Sequence, residues 1–313
     1  MRNAFVSELF DLAVKDKQIV LLMGDIGNRM FNRYRETFPE RFFNCGIAEA
    51  NMIGVAAGMA LSGLRPVLYT TAPFLTSRCF EQIKIDLCYH HLPVILAGLG
   101  GGLSYAGMGA THHSFEDIAI LRTLPGMTVV CPADAAEVRL ALREALTEAS
   151  QRDGPVYLRL GKKGEPAVHQ SAPDFAIGRG IELRAGEDVC LLGTGNILPE
   201  VLGAAEILSD RGVSARVVSM HTVKPLDEAL LSDAFSRFRL VVTVEEHSLI
   251  GGFGAAVAER LADRPCGGES APRLLRLGMR DAFFGCAGDQ RYAREHFGLS
   301  AAQIAEAVEP LLR

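Results

Sequence analysis

The sequence predicts an α/β protein built from two doubly wound sheet domains, and three observations carry that prediction. Short apolar runs alternate with helical patterns along most of the chain. Runs such as Ile19–Met23 are continuously apolar rather than alternating, the pattern of a strand buried on both faces of a parallel sheet. The chain has 313 residues, too many for one ordinary α/β domain and about right for two.

Taken in order, Phe5 to Val14 has helical apolar spacing at Phe5, Leu9, Phe10, Leu12 and Ala13. Ile19–Met23 reads as a strand closed by Gly24-Asp25-Ile26-Gly27. Arg41–Asn44 reads as a short strand stopped by Cys45-Gly46, and a helix rich in small residues follows from Ala48 to Ser62. Glu49 lies in that helix's first turn, where an acid serves either as a dipole partner or as a functional group. Pro66–Thr70 is a strand, Phe80–Tyr89 a helix and Leu92–Ala97 a strand. Phe115–Arg122 is a helix and Met127–Val130 a strand. Pro132-Ala133-Asp134 caps a helix that ends near Ala149, and Val156–Leu160 is a strand. Gly161 to Pro173, with Lys162, Lys163, Gly164, Pro166 and Pro173, breaks the alternation. The division is therefore 1–165, a linker at 166–180, and 181–313.

In the second unit, Val189–Leu192 is a strand, Gly193-Thr194-Gly195 a turn and Leu198–Asp210 a helix. Ala215–Met220 and Leu240–Glu245 are strands, Phe253–Leu261 is a helix, and Ser300 caps a last helix to Leu312. Gly193-Thr194-Gly195 resembles part of a dinucleotide fingerprint, but the third glycine and the downstream acid are missing, so a tight turn is the simpler reading.

Composition excludes several classes. Hydrophobic content is 49% and charged content 22%, enough for a substantial core. Net charge is −5 without a basic cluster, which argues against nucleic acid. The seven cysteines form no CxxC pair and no Cys/His metal spacing, a usage that suits reduced thiols. The start of the chain has no signal-peptide pattern, and the longest apolar runs fall short of the ~20 residues that span a bilayer. A cytoplasmic location away from membranes is the expectation.

Between Gly98 and His113 lies a long glycine-rich loop, a length that in compact domains tends to be functional. It ends on His112-His113. Adjacent histidines point in different directions and rarely share a metal. His112 reads as a hydrogen-bond donor or proton carrier, His113 as a loop histidine satisfied by backbone.

Several of these stretches together resemble the transketolase family of thiamine diphosphate enzymes. Cys45-Gly46-Ile47-Ala48-Glu49-Ala50-Asn51-Met52, then Gly54 to Ala60, is similar to its pyrimidine-binding domain. So are Arg78 to Ile83, Gly109 to Asp117, Arg122 to Met127 and Pro132-Ala133-Asp134. Val244-Glu245-Glu246-His247 with Gly251-Gly252-Phe253-Gly254 is similar to the transketolase C-terminal domain. The resemblance covers essentially the whole chain, yet includes no counterpart of the diphosphate-binding domain with its Gly-Asp-Gly motif and downstream Asn. It implies a split enzyme, in which an N-terminal subunit supplies Mg2+ and diphosphate binding and the two chains form an α2β2 assembly.

The resemblance also implies roles. Glu49 is expected to hydrogen-bond N1′ of the aminopyrimidine and so promote loss of the thiazolium C2 proton, which requires a buried setting. The ring needs an aromatic or apolar partner. Counting back from Arg78 without gaps puts the family's position on Leu75, one past Phe74, so either residue fills it. His112 is expected to catalyse by bonding the donor's carbonyl or hydroxyls. Arg159 is expected to bind substrate phosphate, and Asp25 to line the mouth. The family's Asp four residues before the motif His is Met108 here, and its upstream phosphate-binding His is Gly100. Losing both implies a donor or acceptor other than the standard pentose phosphates. The implied function is ketol transfer between sugar phosphates. Rivals are the β subunit of a 2-oxo acid or acetoin dehydrogenase, a deoxyxylulose-phosphate-synthase-like enzyme, and a non-catalytic subunit.

Overall fold

The computed structural model describes residues 1–147, 154–162, 164–264 and 271–312. The first unit opens with helix α1 (Arg2–Lys15) and strand β1 (Ile19–Met23). Next come α2 (Asn32–Thr37), β2 (Phe42–Asn44), α3 (Glu49–Leu61), β3 (Arg65–Thr71) and α4 (Ala72–Leu75). Helix α5 (Phe80–Gln82) continues as a π-helical stretch, Ile83–Tyr89. Then follow β4 (Ile95–Leu99), α6 (Asp117–Arg122), β5 (Thr128–Val130), α7 (Ala135–Thr147) and β6 (Val156–Leu160). The expected end of α7 near Ala149 lies outside the described residues.

The second unit holds β7 (Ile181–Arg184), β8 (Val189–Thr194), α8 (Leu198–Asp210), β9 (Ala215–Ser219) and β10 (Thr222–Lys224). It continues with α9 (Glu228–Arg237), β11 (Leu240–Ser248), α10 (Phe253–Ala262), β12 (Arg273–Met279), α11 (Gln290–His296) and α12 (Ala301–Val308). The expected cap at Ser300 is a capping box with Gln303. Sequence patterning assigns nothing to β7, β10, α9, β12 and α11. Each is short or only partly apolar, such as β12, exposed or half-buried over its first five positions.

The sheets run β10-β5-β6-β4-β3-β1-β2 and β12-β11-β8-β9-β7. All pairings are parallel except β10 with β5 and β7 with β9. Strands β1, β4, β6 and β8 are buried along their whole length, which is why they read as continuous apolar runs. Helices α1 and α7 pack together over one face of the larger sheet.

Two features weld the units. Strand β10 comes from the second half of the chain but completes the first sheet. One apolar cluster also runs through both, joining Met52, Leu75 and Ile83 to Cys190, Met220, Val223 and Phe253. Because the sheets are parallel, the loops after β1, β2, β3, β4 and β6 all leave one edge. In open α/β sheets, ligands collect at that edge.

Candidate active site

Glu49 is the first residue of α3 and is 2% exposed. Its Oε2 accepts a 2.6 Å hydrogen bond from Arg78 Nη1. The carboxylate is buried because the chain around it is drawn tight: Cys45 N donates to Met23 O at 2.8 Å, and Gly24 N to Tyr69 O at 3.2 Å. Gly24 lets β1 end against Glu49. A Cβ there would stand 2.7 Å from Thr70 Oγ1 and 3.4 Å from Glu49 Cγ. Thr70 Oγ1 is itself buried without a hydrogen-bond partner. A buried carboxylate beside an orphaned hydroxyl is a polar cradle that calls for a polar ligand.

The aromatic question divides cleanly. Leu75 is fully buried and belongs to the core cluster below α3. Phe74 is half-buried; its ring meets His112 edge-on at 5.2 Å, and the Arg78 guanidinium lies 4.4 Å above it. Phe74 is therefore the residue with a ring face at the site, and Arg78 spans from that face to Glu49.

His112 Nδ1 lies 2.9 Å from Thr111 Oγ1, and its ring is edge-on to Tyr105 at 6.2 Å. His113 is buried; its Nε2 faces Ala106 O at 3.1 Å, while its Nδ1 has no hydrogen-bond partner, so the backbone satisfies one ring nitrogen of the two. Asp25 sits at the rim, with Oδ1 accepting from Asn44 Nδ2 at 2.8 Å.

Arg159, expected to bind substrate phosphate, is held inside the seam between the units. It is 4% exposed, and its Nε donates to Asp117 Oδ2 at 2.8 Å. Its Nη2 donates to Ser114 O and Glu246 O, both at 2.9 Å. Asp117 also accepts from the Tyr157 hydroxyl at 2.7 Å. The Arg159 guanidinium beside Asp117 holds that buried carboxyl below the usual carboxylate range, against the opposing pull of burial. With its Nε and Nη2 committed inside the seam between the two units, Arg159 serves as an internal tie in this structure.

Sequence reasoning missed Thr70, Tyr105 and Lys162. Lys162, placed in the linker stretch, lies with Nζ 5.2 Å from the centre of the Tyr105 ring. Ser104, Tyr105, Met108, Lys162, Asp289 and Gln290 line a cleft of about 400 Å³. A lysine pair after an apolar strand was the available signal, and it reads as a surface break.

The buried acid, the ring face and the glycine-loop histidine lie at the carboxyl edge of a parallel sheet, which defines a family. Residues 1–165 match the pyrimidine-binding domain of transketolase and residues 178–304 match the transketolase C-terminal domain; the chain belongs to the transketolase family. It corresponds to the C-terminal section of the enzyme. Among its relatives is the 6-deoxy-6-sulfo-D-fructose transketolase subunit SqwH of Clostridium sp. (strain MSTE9), 39% identical over 309 residues, covering 98% of this chain and 92% of that protein. Another is an apulose-4-phosphate transketolase subunit of Phocaeicola vulgatus, 37% identical, with 84% of each covered. A solved structure described as a split gene transketolase, inactive beta4 tetramer, superposes with a TM-score of 0.88 at 37% identity, over 99% of this chain and 97% of that one. Among the described residues no helix is long and apolar enough to cross a membrane.

Proposed function

We propose that this chain is the pyrimidine-side subunit of a split, thiamine-diphosphate-dependent transketolase that moves a two-carbon ketol unit between sugar phosphates. The observation that carries the proposal is the buried Glu49 carboxylate, at the head of α3 and facing the Phe74–Arg78–His112 group. Thiamine diphosphate, when bound, supplies the nucleophilic carbon and the electron sink for ketol transfer. The residues present fit its aminopyrimidine: the orphaned Thr70 hydroxyl beside the buried Glu49 carboxylate, and an aromatic ring at Phe74.

Glu49, 2% exposed, would hydrogen-bond the pyrimidine ring nitrogen when the cofactor is bound. Low local dielectric strengthens that bond. Phe74 offers its face to the ring. Arg78, 44% exposed on its side chain, has room to turn off Phe74 while keeping Glu49 in reach. His112, oriented through Nδ1 by Thr111, offers Nε2 to a donor oxygen. Asp25 lines the mouth. The anionic end of the sugar belongs at Lys162, across the cleft that Met108 shares. Relatives named for a sulfo sugar and for apulose phosphate support a donor or acceptor outside the standard pentose phosphates.

The domain division 1–165, 166–180 and 181–313 accompanies this reading. Two copies with two N-terminal subunits, which bring Mg2+ and the diphosphate site, make an α2β2 enzyme in the cytoplasm. The test is co-purification with the product of the adjacent reading frame, then ketol-transfer assays over a panel of sugar phosphates. Transfer that requires both chains and thiamine diphosphate is expected. Glu49→Gln should abolish turnover and leave the melting temperature close to wild type. Ordinary steady-state rates in that variant would remove Glu49 from the mechanism. Xylulose 5-phosphate with ribose 5-phosphate emerging as the best pair would remove the non-standard sugar.

A further inference from the structure

The loop that carries His112 is closed at its base by an antiparallel bridge. Gly102 N donates to Ser114 O at 3.1 Å and Ser114 N to Gly102 O at 3.3 Å. Both ends of the loop then converge on one residue of the second unit, Glu246, which is 1% exposed. The Glu246 carboxylate accepts from Leu103 N at 3.0 Å. Its backbone carbonyl takes one bond from the Arg159 guanidinium, which also grips Ser114 O.

Glu246 is itself held. Arg294 Nε bonds its Oε1, and Gln290 Nε2 lies 3.0 Å from both carboxylate oxygens. Arg294 continues to Asn196 O at 2.9 Å, while Asn196 Nδ2 donates to Ser104 Oγ at 3.2 Å. The approach is close. At Gly102, with φ +63°, an added Cβ would meet Glu246 Cβ and O at 2.7 Å. Leu103 and Ala106 are buried in the core of the second unit rather than the first.

A glycine-rich loop left to itself spends its backbone freedom on many conformations. A buried carboxylate bonded to its first amide selects one of them, because leaving either group unpaired in the interior is costly. We infer that Glu246, fixed by Arg294, is a positioning residue that sets the 103–114 loop and through it His112. Glu246 would then act on the reaction without touching substrate itself. The inference rests on the proposed role of His112.

The test uses the reconstituted two-chain enzyme loaded with thiamine diphosphate. It measures kcat and KM for the sugar donor, cofactor affinity and amide exchange of 103–114. Glu246→Ala should lower donor kcat/KM by about 10- to 100-fold, the scale of an ångström-level misplacement. Exchange should rise across 103–114, with cofactor affinity and exchange at α3 unchanged. Glu246→Gln keeps one acceptor oxygen but turns an amide NH2 toward either Arg294 or the Leu103 amide, so its loop exchange and kcat/KM should fall between wild type and the alanine variant. Should the alanine variant fail to fold, Asn196→Ala releases Ser104 while leaving the Glu246–Arg294 pair, and the same pattern is expected at smaller size. Unchanged exchange at 103–114, or exchange rising throughout the chain together with loss of cofactor affinity, overturns the inference. So does faster loop exchange with unaltered transfer. Absence of transfer in the wild-type complex overturns only the functional reading, and the exchange measurements still decide whether Glu246 orders the loop.

Discussion

Phe74 and Leu75 are neighbours in sequence with opposite fates. Leu75 sits at 0% exposure among Met52, Ile53 and Ile83, while half-buried Phe74 meets His112 edge-on with the Arg78 guanidinium over its ring. Truncating the two should separate stability from binding. Leu75→Ala opens a cavity in the shared core and is expected to cost about 2–5 kcal/mol of stability. Phe74→Ala should leave the melting temperature nearly unaltered and weaken thiamine diphosphate binding by the reconstituted enzyme. Denaturant unfolding beside cofactor titration checks both; the reverse pattern would hand the ring contact to Leu75. Glu49 was legible from its motif because a local signature surrounds it. The choice between Phe74 and Leu75 was not, since a one-residue offset in a loop reverses which side chain faces the core.

At the scale of elements, the seam between α6, β6 and β11 governs the response to acid. His247 is fully buried; its Nε2 accepts from Ala119 N at 3.2 Å and its Nδ1 faces Ser248 O at 2.8 Å, the bonding of a neutral imidazole. Burial pushes its pKa down to about 4, against the pull of Asp117, and Arg159 adds to the push. Asp117 Oδ1 stands 3.9 Å from His247 Nε2, and Glu245 Oε2 stands 3.8 Å from Nδ1. In the unfolded chain His247 titrates near its ordinary value of 6.5. Between that value and about 4 the unfolded chain binds the proton and the folded chain does not. The stability contributed is therefore complete above pH 6.5 and is lost as pH falls toward 4. The depressed Asp117 acts in the same direction at lower pH. Glu245 opposes this loss over the same range, because burial pushes its carboxyl up to about 7 and the folded chain takes that proton first. The His247 contribution is therefore read as a difference in denaturant melts from pH 7 to 4, wild type losing more stability than His247→Gln as pH falls. An equal loss in both would remove His247 as a source.

The same seam explains what was unreadable in Arg159. Its residue type and strand-end place fit a substrate ligand, but its partners Asp117, Ser114 and Glu246 are 42, 45 and 87 residues away. Nothing in the local pattern of Tyr157-Leu158-Arg159-Leu160 announces them. The long helix expected over Phe80–Tyr89 is present in extent but takes a π-helical form from Ile83 onward, a backbone detail set by packing rather than by apolar spacing.

For the whole molecule, strand β10 and the shared apolar cluster make two sequence domains one mechanical unit. Lys224 at the end of β10 ties itself to the carbonyls of Arg122 and Leu124, and Arg122 pairs with Glu259 of α10. Thermal unfolding of the isolated chain should therefore follow one cooperative transition by both calorimetry and circular dichroism. Two resolved transitions, one for each sheet, would contradict this coupling.

By itself the sequence determined the class of fold and the chain order of its buried strands. Continuous apolar runs and glycine stops are local features, and the glutamate and histidine motifs sit directly after them. Only the tertiary structure decided that Phe74 stands beside His112 and Arg78 while Leu75 is core, that Arg159 is an internal tie, that Lys162 borders the cleft and that Glu246 bonds the histidine loop. Those outcomes depend on contacts between segments far apart in the chain. Such contacts are fixed by how buried charges find partners when two sheets close on each other, and local sequence patterning does not encode that geometry.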